Sequence, residues 1–271
     1  MRRYIYLILL IGVVIISAYF IAVQLRRPCV VKIMPPATKS EEKLEEKIQI
    51  KELLPIPLPT QEEILPIPEK ISYDVILGGK RLGSAEFRYQ ERKKIEGRLV
   101  DIRTFTTQLM HFQDLETIWS DPETDLPIKV ERKIVLWPRK EYIVEDYNQQ
   151  MFSLKITKQV GKRTTVMILQ KDKFIHNAIL LPTIARKNTS FQPGWSFVAS
   201  LPTQDFTIRY EGIKQIKIPA GEFQAHYFVS VPERFEIWIS TDERKIPLKI
   251  RGTDGLGYTL VMRSYQQEKG I

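Results

Sequence analysis

From Ile71 onward the chain is a succession of short runs rich in β-branched and aromatic residues, each closed by turn-forming residues. Residues 71–77 (ISYDVIL) meet residues 81–91 across Gly78-Gly79, a dipeptide suited to the positive φ angles of a tight hairpin. Residues 98–109 (RLVDIRTFTTQL) alternate polar and apolar side chains at period two, which predicts a half-buried strand. Similar runs follow at 129–136, 141–147, 152–158, 164–170, 206–210, 224–231, 235–240, 248–251 and 258–265. Pro219-Ala220-Gly221 fits a turn with proline at its second position, and Asp254-Gly255 closes the last hairpin. Many strands without crossover helices exclude parallel βαβ winding. The pattern predicts an all-β, mainly antiparallel domain: one large sheet that curls into a half-barrel or closes as a barrel.

The best helical candidate is 173–186, where Phe174, Ile175, Ala178, Ile179, Leu181 and Ile184 cluster on one side; Pro182 is expected to kink or end it. A short echo also stands out. Trp119 leads through Asp121 to Leu126-Pro127-Ile128-Lys129-Val130, and Trp238 leads through Asp242 to Ile246-Pro247-Leu248-Lys249-Ile250. Duplication explains it, and so does repeated use of one turn chemistry.

The N-terminus is of another kind. Residues 4–23 read YIYLILLIGVVIISAYFIAV, twenty residues whose length as a helix, about 30 Å, matches a bilayer core. The run is longer than a signal-peptide core, and no A-x-A-like site follows, so an uncleaved anchor over 1–27 is expected. Arg2 and Arg3 precede the run while Arg26 and Arg27 follow it, so charge gives little contrast for orientation. Residues 28–70 hold eight of the seventeen prolines, as in Leu54-Pro55-Ile56-Pro57-Leu58-Pro59, and predict a semi-rigid spacer. A Thr38-x-x-Glu41 capping box marks a possible short helix within it. The β-rich domain then occupies 71–271.

Several motifs of the domain resemble the exported bacterial proteins grouped as domain-of-unknown-function family 3108. They are Tyr73-Asp74-Val75, Leu77-Gly78-Gly79, Leu82-Gly83-Ser84-Ala85, residues 179–186 with Pro193-Gly194, Pro219-Ala220-Gly221, Trp238 through Asp242, and Ile246-Pro247. The resemblance spans about residues 71 to 266. It implies a β-rich envelope domain beyond the cytoplasmic membrane, of no established activity, with Gly78, Gly79, Gly83, Pro219, Gly221, Trp238, Asp242 and Pro247 as its motif residues.

Chemistry is harder to find. His111, His176 and His226 lie in separate segments with no metal-binding spacing, and the lone cysteine, Cys29, rules out a disulfide framework. No phosphate loop, dinucleotide fingerprint or nucleophile elbow is present, so no enzyme, cofactor or metal is expected. Acidic residues are plentiful but spread, leaving a carboxylate-dependent envelope hydrolase as the least favoured alternative. The chain carries a net charge of +9, and most of the excess lies beyond residue 70. Such a domain is drawn to anionic surfaces outside the membrane, and an exported domain has no nucleic acid to bind. Phe87, Phe105, Trp195, Phe223 and Trp238 are candidates to line an apolar cavity, against the plainer alternative of a filled core. The leading expectation is therefore a single-pass, membrane-anchored binding or assembly module. Its expected partner is a lipid-like molecule, an anionic envelope polymer or another envelope protein, and a scaffold without a small-molecule site is the runner-up.

Overall fold

The computed structural model describes residues 68–188, 191–252 and 258–267. All belong to the second of two units into which the chain divides, Leu65–Ile271. The expected anchor, spacer and Asp254-Gly255 turn lie outside the described residues. Among the described residues no helix is long and apolar enough to cross a membrane.

Fourteen strands follow one another. They are β1 Glu69–Leu77, β2 Lys80–Ile95, β3 Arg98–Leu109, β4 Phe112–Ser120, β5 Pro127–Leu136, β6 Arg139–Asn148, β7 Ser153–Val160 and β8 Arg163–Gln170. After a short helical segment come β9 Ser196–Ser200, β10 Asp205–Ile218, β11 Gly221–Val231, β12 Phe235–Ser240, β13 Pro247–Gly252 and β14 Thr259–Gln267. All belong to one sheet, ordered β8 down to β1 and then β14 down to β9. Every neighbour pair is antiparallel: β1–β8 and β9–β14 are two meanders, joined where the first and last strands pair, Glu69 opposite Gln267. The two edges are β8 and β9, on either side of residues 171–195. The expectation of a large antiparallel sheet with one short helix holds.

The tight turns obey backbone sterics. Gly78 and Gly79 sit at φ +55° and +76°, the left-handed pair that matches the twist of a two-residue hairpin. Gly83 is needed for a different reason: a Cβ there would lie 2.0 Å from the carbonyl oxygen of Gln108 on β3.

Two strands, β4 and β9, are absent from the sequence expectation. β4 (FQDLETIWS) carries Asp114 and Glu116 in phase with Ile118, which spoils its apolar alternation. β9 has five residues, too few to show a period. The helix is also shorter than expected. Residues 173–177 are not helical; a 3₁₀ turn spans Ala178–Leu180, and α1 spans Leu181–Arg186. The Asn177 side chain caps the start by accepting from the Ile179 N–H. Pro182 sits in the first turn of α1, where its missing N–H costs nothing, so it opens the helix rather than ending it.

Residues 175–185 reveal the curl. Ile175 and Leu180 pack with Ile118, Val130, Tyr147 and Leu154 of β4–β7. Leu181 and Ala185 pack with Ile208, Tyr210, Phe228, Ile237 and Ile239 of β10–β12. One short segment thus touches inward-facing residues from both halves of the sheet. It is a plug around which the sheet wraps.

Where α1 ends, both echo hairpins grip it. Lys187 Nζ donates to Pro122 O (2.6 Å) and Glu123 O (2.9 Å) and pairs with Asp125 (2.9 Å) in the β4–β5 turn. In the β12–β13 turn, Lys245 Nζ donates to the carbonyls of Arg186 and Asn188, and Arg186 donates to Arg244 O (3.0 Å). The Arg186 guanidinium also forms a two-pronged pair with Glu69 at the start of β1.

Candidate functional site

Around the plug the inward face is mostly apolar. Farther along β4–β7 the same face turns charged, as the register shows. One row runs Phe105, Glu116, Arg132, Ile143, Lys158, and the next runs Thr107, Asp114, Ile134, Glu141, Val160. A third holds Ile118, Val130, Glu145 and Ile156. Side chains two residues apart on a strand share a face, so Asp114, Glu116, Arg132, Glu141, Glu145 and Lys158 all point inward. They form a charged patch on that face, the basin.

Arg132 is its hub. Its Nε lies 2.9 Å from both Asp114 oxygens and 3.4 Å from Glu116 Oε1. Lys158 pairs with Glu141 at 2.6 Å, and Tyr147 donates to Glu145 at 2.6 Å. The Glu116 side chain is only 13% exposed. Burial, opposed by Arg132 and reinforced by the charges of Asp114 and Glu145, pushes its carboxyl up to about 7. Burial likewise raises Glu145, against the pull of Tyr147 and Arg132. For Arg132, burial disfavours the cation, but the Asp114 bonds and the surrounding carboxylates outweigh it and raise its pKa.

Tyr258, just before β14, lies within electrostatic reach of Glu116, Arg132 and Asp114 although five strand boundaries separate β14 from β5. The residue is about half exposed, and burial around its hydroxyl raises its pKa. The basin can bind charged or hydrogen-bonding groups, and one of its carboxyls changes protonation near neutrality.

Phe87 and Phe105 face each other across β2 and β3 in the apolar cluster around Ile71, Tyr73 and Val75. Trp195 lies elsewhere, edge-on to Phe191 (5.2 Å) and Phe228 (5.9 Å) and near Phe197. Trp238 stands in a row with Tyr227, Lys249, Val261 and Asp74, one step from the row Phe228, Ile237, Ile250, Leu260, Val75. Neighbouring rows point to opposite faces, so Trp238 and Phe223 are on the side away from the plug. There Trp238 stacks on Tyr227 at 4.8 Å, with Lys249 4.5 Å above it and Lys214 3.5 Å above Tyr227. Phe87, Phe105 and Trp238 nonetheless belong to one buried cluster, against which Phe223 packs, while Trp195 packs against another.

The motif residues sit in turns and close approaches. Pro219 and Ala220 form the two-residue β10–β11 turn, and Gly221 has φ +135°. Asp242 accepts from Ser240 Oγ (2.9 Å) and Arg244 (2.6 Å), while Pro247 O accepts from the buried Tyr73 hydroxyl (3.0 Å). His111 lies in the β3–β4 turn, His176 accepts from Ser200 N (3.1 Å), and His226 contacts Tyr210 Oη (3.2 Å). Sequence reasoning missed Asp114, Glu116, Arg132 and Glu145. Their signal was charge at the apolar phase of three successive strands.

An open, all-antiparallel sheet curled around a plug defines a barrel-like β domain. No family model matches the chain, and no curated protein matches it. A solved structure similar to it is the beta-barrel-like protein of domain of unknown function DUF1849 from Brucella abortus, with TM-score 0.45 and 8% identity, covering 75% of this chain and 98% of that one.

Proposed function

We propose that this chain is a membrane-anchored binding module of the cell envelope. Residues 4–23 lie in the cytoplasmic membrane, the β domain stands on the extracytoplasmic side, and the turn motifs are those of family 3108. Its ligand enters the charged basin. One observation carries this choice: residues 175–185 pack on apolar residues of the inward face, and the same face along β4–β7 also carries Asp114, Glu116, Arg132, Glu141, Glu145 and Lys158. An acyl chain gains nothing from such walls. A hydroxyl- and amine-bearing envelope polymer does, through charge-assisted hydrogen bonds to the carboxylates. Titration of partly N-acetylated glucosamine oligomers into the full chain, followed by calorimetry, tests this. Saturable binding weakened at least tenfold by Arg132→Leu or Glu116→Gln is expected; equal binding by wild type and both variants sinks the assignment.

One observation favours a second reading, a carboxylate-dependent hydrolase. Glu116 titrates near 7 beside Asp114 and Glu145, which suits an acid–base group. Under that reading the same oligomers are shortened by the wild type and left intact by Glu116→Gln.

A further inference from the structure

The turns β1–β2, β3–β4, β5–β6 and β7–β8 necessarily emerge at one end of the sheet, because β1–β8 form an unbroken meander. Register keeps their tips close in line: Val75 pairs with Gly83, Gly83 with Leu109, Leu109 with Phe112, Phe112 with Leu136, and Leu136 with Arg139. Successive tips are two strands apart, roughly 10 Å, so the four span roughly 30 Å of rim.

The rim has an unusual composition. Lys80, Arg81, Arg139, Lys140, Lys162 and Arg163 are all exposed, and the turn residues between the strands include no carboxylate. Arg81 pairs with Asp74 (2.7 Å); among the described residues the other five cations have no ion-pair partner. Glu141, the nearest acid on β6, is held inward by Lys158. Between the cations stand Met110, 84% exposed, and Trp137, 80% exposed.

Turn chemistry does not ask for these two residues. Two-residue hairpins favour Asn-Gly, Asp-Gly or Gly-Gly, as Gly78-Gly79 illustrates, whereas Met110-His111 and Trp137-Pro138 present bulky side chains to water. Nor do they pack a core. Exposed tryptophan flanked by lysine and arginine is the arrangement that seats in the headgroup layer of an anionic bilayer, with the indole at the polar boundary and the cations on phosphates.

We propose that this four-turn rim docks on the surface of a bilayer rich in anionic phospholipid, with Trp137 and Met110 entering the headgroup layer. The proposal rests on the membrane setting proposed above. Docking would turn this end of the curl toward the lipid and keep the gripped end of α1 away from it.

The test uses the full chain, with vesicles of phosphatidylcholine containing phosphatidylglycerol and with lipids brominated near the top of the acyl chain. Subtracting the spectrum of Trp137→Phe isolates Trp137 among the four tryptophans. Its emission should shift to the blue and fall at least twofold with brominated anionic vesicles. Raised salt or the triple variant Arg139→Gln/Lys140→Gln/Lys162→Gln should abolish the quenching without changing thermal unfolding. Flotation with the vesicles reports the anchor, and quenching reports the rim. A chain that floats with Trp137 unquenched overturns the rim; a chain that does not float overturns rim and anchor together.

Discussion

At Gly83 a methyl group is too much. Its Cβ would meet Gln108 O at 2.0 Å and Leu109 Cδ2 at 2.8 Å, so Gly83→Ala must push β2 away from β3. The expected loss is about 2–3 kcal/mol, measurable as a lower denaturant midpoint. By contrast Gly97, at φ +83° with open space around it, is limited by backbone strain alone, and Gly97→Ala should cost about 1 kcal/mol. Glu116 makes a prediction of opposite sign. Its folded pKa, about 7, lies above the unfolded value, so the folded state binds the extra proton between roughly pH 4.5 and 7. This group's contribution to stability is therefore greatest below that window and is lost as pH rises through it. Glu116→Gln, which mimics the protonated side chain, should be near neutral at pH 4 and stabilising by up to ~3 kcal/mol at pH 8. Thermal melts of both proteins across that range check the sign. A carboxyl kept at such a cost is what a binding site retains.

Among the elements, the paired hairpins and the plug act as one assembly. Trp119 pairs with Lys129 and Trp238 with Lys249; the register shifts just after each tryptophan, and Asp125 and Lys245 take positive φ at equivalent places. The echo visible in the sequence is thus a shared turn geometry, and both copies hold the end of α1. Glu69 is buried, so Arg186→Ala leaves a carboxylate without its counter-ion. The expected destabilisation is about 3 kcal/mol, partly recovered when Glu69→Ala is added, by chemical denaturation. Much of this architecture was legible: the Gly-Gly hairpin, the period-two run of β3 and the Pro219 turn follow from local chemistry. The basin was not, because Asp114 and Glu116 look like exposed residues until β3 and β5 fix which way they point. The helix limits were misjudged for a similar reason. Ile175 is apolar and in phase with α1, yet it is held in non-helical chain by Gln149, which bonds both its N–H and its carbonyl.

For the molecule as a whole, pairing of the first and last strands is decisive. The Arg263–Asp74 bonds close a sequence separation of 189 residues, and β14 separates β1 from β13. Removing residues 259–271 should abolish the cooperative unfolding transition and the near-ultraviolet circular dichroism, where a peripheral hairpin would only lower the midpoint. Closure this late also governs how the chain is made. While the intervening strands are being synthesised, the outer edge of β1 displays unclaimed amide and carbonyl groups, a template for any passing extended peptide. The interval before its rightful neighbour arrives is when the nascent domain is most vulnerable to wrong partners, and a holding chaperone would have most to offer it then.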